Sequence, residues 1–108
     1  HCTDCRQSSG SAFAILVFMK KDDINISGDV KTFDHVVDSG NTLTKHFCPK
    51  CGSQLFTANQ ARPDSLGIRA GTLDEHDAVK PQFNVYAGSK MSCTILDDAI
   101  PAYEKMPG

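Results

Sequence analysis

The residues with the most chemistry in this chain are its five cysteines, Cys2, Cys5, Cys48, Cys51 and Cys93. Four of them form two C-x-x-C pairs. At that spacing one turn presents two thiolates to a single Zn²⁺, with Zn–S bonds of about 2.3 Å. The second pair lies in His46-Phe47-Cys48-Pro49-Lys50-Cys51-Gly52-Ser53-Gln54-Leu55-Phe56. Gly52 supplies the positive φ that such a turn uses. The flanks, 43–47 and 53–56, read as strands, which makes the turn a zinc knuckle at a hairpin tip. Tetrahedral zinc takes four ligands, so each pair is half a site. The first pair is Cys2-Thr3-Asp4-Cys5, followed by Arg6. A guanidinium there stabilises thiolates and lowers their pKa, attracts an anionic substrate, or forms an ordinary surface ion pair. The two pairs are further apart than the roughly 15–20 residues of a compact zinc ribbon. One shared structural site and two separate sites both remain open. Cys93 has no partner nearby and reads as a small buried hydrophobe.

Other side chains near these pairs invite the same question. His46 alternates onto the face of Cys48, but a strand histidine satisfied by solvent or a backbone carbonyl is the better reading. His35 is a strand residue. His76 lies in the acidic loop 74–77 and reads as solvent-exposed. Asp74 reads as a turn residue bonding its own backbone.

The elements that position these residues are mostly strands. The run Ala12–Met19 is continuously apolar and bounded by Gly10 and by Lys20-Lys21-Asp22-Asp23, which predicts a central strand covered on both faces. Residues 24–26 and 30–37 predict further strands, with a turn at Asp38-Ser39-Gly40-Asn41. Strands are expected at 42–47 and 53–57 on either side of the knuckle. Residues 59–64 read as a loop, 66–73 as a strand with glycines at close backbone approaches, and 81–86 as another strand. The remainder is an irregular tail with a short strand near 94–96. Residues 7–11 read as a loop or a single helical turn. No segment has a sustained 3.6-residue apolar stripe, so the fold class is mainly β.

Composition narrows the function. At 108 residues the chain is the size of one domain, and 40% hydrophobic residues place it among globular rather than disordered chains. A net charge of −2 argues against a broad phosphate-binding surface and so against nucleic acid as a partner. No apolar run is long enough to span a bilayer, so no membrane role is expected. An odd cysteine count with C-x-x-C pairs suits metal binding in a reducing compartment, and the expected location is cytoplasmic.

Three blocks in order carry a family resemblance: His1-Cys2-Thr3-Asp4-Cys5-Arg6-Gln7-Ser8-Ser9-Gly10, then Phe47-Cys48-Pro49-Lys50-Cys51-Gly52-Ser53-Gln54-Leu55, then Arg69-Ala70-Gly71-Thr72-Leu73-Asp74. Together they resemble the glutathione-dependent formaldehyde-activating enzyme (GFA) family, also called the centromere protein V/GFA domain, over nearly the whole chain. The resemblance implies a β-tent of small antiparallel sheets with zinc knuckles. It also implies a division of the cysteines. Cys2 and Cys5 match the last two positions of a C-x-C-x-x-C motif that holds a catalytic three-thiolate zinc. Cys48 and Cys51 match a pair that shares a structural zinc with an upstream C-x-C. By that pattern residues 1–108 are a single GFA-type domain lacking its N-terminal strands. Asn84 stands where the family usually has His, and Ser92 lies near the place of a Trp that this chain lacks.

The implied function is a zinc-dependent carbon–sulfur lyase acting on thiol–aldehyde adducts such as S-hydroxymethylglutathione, with Cys2 and Cys5 at the catalytic metal and a small-molecule thiol or aldehyde adduct as partner. An open position on such a zinc binds a thiolate or polarises a carbonyl. One rival is a non-enzymatic zinc module that binds another protein. The other is a zinc-bearing methionine sulfoxide reductase, with Cys93 imitating its late cysteine, although that enzyme's Trp-containing pocket cannot form here.

Overall fold

The computed structural model describes residues 1–37 and 39–107, and within them the chain forms two compact units. One comprises Leu16–His76. The other comprises His1–Ile15 together with the segment from Asp77 onward.

The 16–76 unit is one antiparallel sheet of five strands: β1 (Leu16–Lys20), β2 (Lys31–Val36), β3 (Thr42–Phe47), β4 (Gln54–Asn59) and β5 (Arg62–Arg69), in the spatial order β1-β5-β4-β3-β2. Strands β2 to β5 are successive hairpins, and β1 joins the free edge of β5. The mainly-β expectation holds, with these strands gathered into a single sheet. Cross-strand register sorts the side chains into two faces. Val17, Ile68, Phe56, His46 and Thr32 form one row. Phe56 and Leu66 are buried on that face, at 8% and 4% exposure. The next row, on the opposite face, is Phe18, Gly67, Thr57, Lys45 and Phe33, and both its phenylalanines are 60% exposed.

Several sequence expectations change here. The apolar run 12–19 is not a central strand. Only its second half pairs, as the edge strand β1, and Phe18 and Met19 stay exposed. The register explains why an edge keeps so apolar a strand. Phe18 lies opposite Gly67, and a Cβ there would sit 3.2 Å from the Phe18 ring, which covers the bare backbone. Residues 24–26 form no strand. The expected loop 59–64 is a tight hairpin in which Asn59 Oδ1 accepts from the Ala61 N–H at 2.9 Å, the local bond that lets Asn start a turn. Strand β5 stops at Arg69, and Ala70–Thr72 continue as a 3₁₀ turn. Of the expected turn 38–41, Asp38 lies outside the described residues. Around it Gly40, at φ 85°, donates its N–H to Val37 O at 2.8 Å.

In the other unit, α1 (Thr3–Ser9) is followed by a turn and bend at residues 10–12, and residues 84–88 are laced to 101–105 by backbone bonds. Expected strand 81–86 is reduced to one isolated bridge, Asn84 to Ala102, and 94–96 form no strand. Tyr86 has a positive φ of 55°, a strained conformation for an aromatic residue, in the turn that opens the 3₁₀ segment Ala87–Ser89.

Candidate functional site

The two C-x-x-C pairs are built on different backbones. Cys2 is the N-cap of α1. Its backbone is extended (φ −68°, ψ 155°), and its Sγ accepts from the Cys5 N–H at 3.3 Å. A cysteine thus does what Ser or Asp usually does at this position. Asp4 lies in the first turn, and Gly10 ends the helix at φ 68° with its N–H on Arg6 O. These caps make a helix from a segment with no apolar stripe.

Cys2 is half-buried, and its thiol pKa is pushed down from 9.0 to about 6. The Cys5 side-chain hydrogen bond is the largest cause, and the Cys5 N–H and the amino-terminal charge add to it. Burial and the Asp4 carboxylate push the other way. Arg6 is not among the causes, so the expectation that its guanidinium lowers the thiol is replaced by hydrogen bonds from Cys5.

The second pair occupies the β3–β4 turn. Cys48 N–H donates to Ser53 O at 2.9 Å, and Gly52 N–H donates to Cys48 O at 2.8 Å with φ 76° at Gly52. The register slips by one residue between His46 and Phe47, so strand alternation is broken just before the turn. Cys51 is exposed, with its Sγ 3.1 Å from Ser53 Oγ. Its thiol pKa is lowered, first by the Ser53 hydroxyl, then by the Ser53 N–H and the Cys48 side chain.

Zinc fits both turns in donor chemistry. Each offers two soft sulfurs, and in each one thiol is biased toward the thiolate that metals take up. None of the five cysteines is paired in a disulfide. Among the described residues no group of three or more His, Cys, Asp or Glu converges on one point, so each turn contributes two donors.

His46 is otherwise engaged, whereas His35 Nε2 is buried without a hydrogen-bond partner. His46 Nδ1 lies 3.2 Å from Thr44 O, the bond of an Nδ1–H donor, and its ring stacks on Phe56 at 4.2 Å. That is the carbonyl-satisfied reading. His35 lies 6.0 Å from the Phe33 ring. Cys93 is exposed rather than buried, in a turn of the irregular segment after Ser89.

Two features escaped the sequence reading. His1 is buried at 8% exposure; its Nε2 lies 3.1 Å from Asn84 Oδ1, and its ring lies 4.9 Å from Phe13. Ser89 Oγ donates to His1 O at 3.2 Å, and His1 N to Val85 O at 3.3 Å. The residue before Cys2 is therefore anchored by a segment some 80 positions away, which local pattern does not reveal. In the sheet unit, Arg69 is buried and donates through Nη2 to Gln54 Oε1 at 2.8 Å. This bond links two of the family-like blocks, just beyond the second cysteine pair.

No helix is long and apolar enough to cross a membrane, among the described residues. The family model for glutathione-dependent formaldehyde-activating enzyme (GFA) matches residues 1–89 of the 108.

Proposed function

We propose, from the premise that this chain belongs to the glutathione-dependent formaldehyde-activating enzyme family, that it is a zinc-dependent carbon–sulfur lyase acting on thiol–aldehyde adducts. Membership supports a function of the glutathione-dependent, formaldehyde-activating type in general. The finer reading takes an adduct such as S-hydroxymethylglutathione as substrate, and its thiolate-metal chemistry is supported by one observation: the half-buried Cys2 thiol, lowered to about 6, caps the helix that carries Cys5 and bonds the Cys5 N–H.

In this reading Cys2 and Cys5 hold the catalytic zinc, and Cys48 and Cys51 hold a structural one. Bound zinc supplies Lewis acidity toward a thiolate or a carbonyl oxygen. The chain's own residues do the rest. The Cys5 N–H holds Cys2 Sγ in place at 3.3 Å. The Asn84 and Ser89 contacts fix the residue before Cys2. In the forward direction the thiol loses its proton, sulfur forms a bond to the aldehyde carbon, and the carbonyl oxygen takes up a proton. The lyase direction removes the hydroxyl proton, breaks the C–S bond and returns thiol and aldehyde. Action in the cytoplasm fits a thiol substrate that must stay reduced.

The test is exchange between free formaldehyde and its glutathione adduct, followed by NMR on zinc-loaded protein. Exchange above the spontaneous rate that disappears in Cys5→Ser supports the reading. Exchange at the spontaneous rate with a full zinc complement refutes it.

A further inference from the structure

The α1 helix carries more than its cysteines. Arg6 follows Cys5 and lies four residues after Cys2, one helical turn along the same face, or about 6 Å of rise. Beside it is an open cleft of about 370 Å³ lined by Arg6, Gln7, Gly10, Ser11, Ala12 and Met91. This lies within the range of small-molecule sites, roughly 300–1,000 Å³.

The lining has one charge, and it is positive. Arg6 is half-buried, and its Nη2 donates to Thr3 Oγ1 at 3.2 Å. Its Nε is buried without a hydrogen-bond partner. Nor is the guanidinium among the causes that lower the neighbouring Cys2 thiol. A guanidinium has five N–H donors in a planar fork that matches a carboxylate, and a buried donor left unpaired costs free energy. Gln7 adds an amide and Ser11 a hydroxyl. Ala12 and Met91 give the cleft an apolar wall. That combination suits a carboxylate at the end of a short aliphatic or peptide-like chain.

We infer that the cleft beside α1 is a carboxylate subsite, in which Arg6 selects thiol adducts that carry an acidic group over neutral ones. The inference rests on the lyase reading for the placement of the sulfur end at the cysteine turn. It adds a specificity-determining role to Arg6, separate from metal binding.

The experiment compares S-methylglutathione, which cannot form the adduct, with its diethyl ester. Binding of each to zinc-loaded protein is followed by ¹H–¹⁵N NMR titration, in the native chain, Arg6→Gln and Arg6→Lys. The native chain binds the acid at least tenfold more tightly than the ester, the range of a lost hydrogen bond to a charged group. Shifts centre on Arg6, Gln7, Ser11 and Met91. In Arg6→Gln the difference between acid and ester collapses, and in Arg6→Lys part of it survives. Equal binding of acid and ester by the native chain overturns the inference, as does undiminished discrimination in Arg6→Gln or no binding of the acid at all. If Arg6→Gln does not fold, the acid–ester ratio in the native chain and its reduction in Arg6→Lys decide. Discrimination without formaldehyde exchange refutes the lyase reading alone. Exchange without discrimination refutes the subsite alone.

Discussion

Gly52→Ala tests whether the second cysteine turn is a metal-holding device. Gly52 has φ 76°, and an added Cβ meets nothing within 4 Å. The cost is therefore conformational rather than steric. A left-handed conformation costs an L-residue roughly 1–2 kcal/mol. Alanine also restricts the unfolded chain, which returns roughly 0.4–1 kcal/mol. The net loss is about 1 kcal/mol, or about fivefold in the folding equilibrium. Gly40→Ala is the matched control. Its φ is 85°, its Cβ position is equally open, and its turn carries no cysteine. Both variants are unfolded by urea at one fixed free zinc concentration, and zinc affinity is read by competition with a chromogenic chelator. Both lose about 1 kcal/mol of stability. Only Gly52→Ala also loses zinc affinity, up to about fivefold, because a metal-free turn relaxes away from φ 76° and the metal must drive it back. An equal affinity loss in Gly40→Ala refutes this reasoning. So does a Gly52→Ala loss above about 3 kcal/mol, which would require a collision that the open Cβ position does not contain.

Two further outcomes follow from the geometry. In chelated protein, alkylation of Cys2 by iodoacetamide rises with pH around a midpoint near 6, and Cys5→Ala, which has no side-chain donor, moves that midpoint upward as the largest lowering cause is lost. Because the folded value lies below the ordinary 9.0, the thiolate interactions stabilise the metal-free fold fully above about pH 9 and are lost as pH falls through 6; pH-dependent urea unfolding reads that slope. In the sheet, Phe56→Ala removes a ring that is 8% exposed and stacked on His46, and costs about 3 kcal/mol or more, whereas Phe18→Ala, at 60% exposure, costs about 1 kcal/mol or less. Chemical unfolding of the two variants side by side checks the ratio.

How much of this was legible in the sequence depends on whether the signal was local. The strands around the second cysteine pair were legible, because the short runs 42–47 and 53–57 lie on either side of a cysteine turn that a Gly closes. The turn at 59–62 was hidden, since Gln60-Ala61 has no turn chemistry of its own and the bond comes from Asn59. The apolar run 12–19 looked central because its hydrophobicity is continuous, and no local pattern says that a glycine on another strand lets Phe18 lie at an edge. Helix α1 was only partly legible, as the helical-turn alternative for residues 7–11, and for the opposite reason. Its signal is in its ends, a cysteine N-cap and Gly10, rather than in periodicity. The His1–Asn84 contact lies beyond any local reading.

The shared spelling C-x-x-C therefore identifies donor type but not donor environment. At Cys2 the spacing of three brings first the Cys5 side chain and then, more weakly, the Cys5 N–H onto the first sulfur, so the first thiol is the one favoured as thiolate. At Cys48 and Cys51 the same spacing closes a hairpin. There the second thiol is lowered, it is exposed, and its support comes from Ser53 just beyond the turn. A half-buried thiolate held by its own helix is screened less by solvent than an exposed one on a hairpin. Its charge is accordingly felt more strongly by whatever occupies the space beside α1. That asymmetry is a physical reason for assigning chemistry to the helix-borne pair and structure to the hairpin-borne pair, and it uses no feature that the two share.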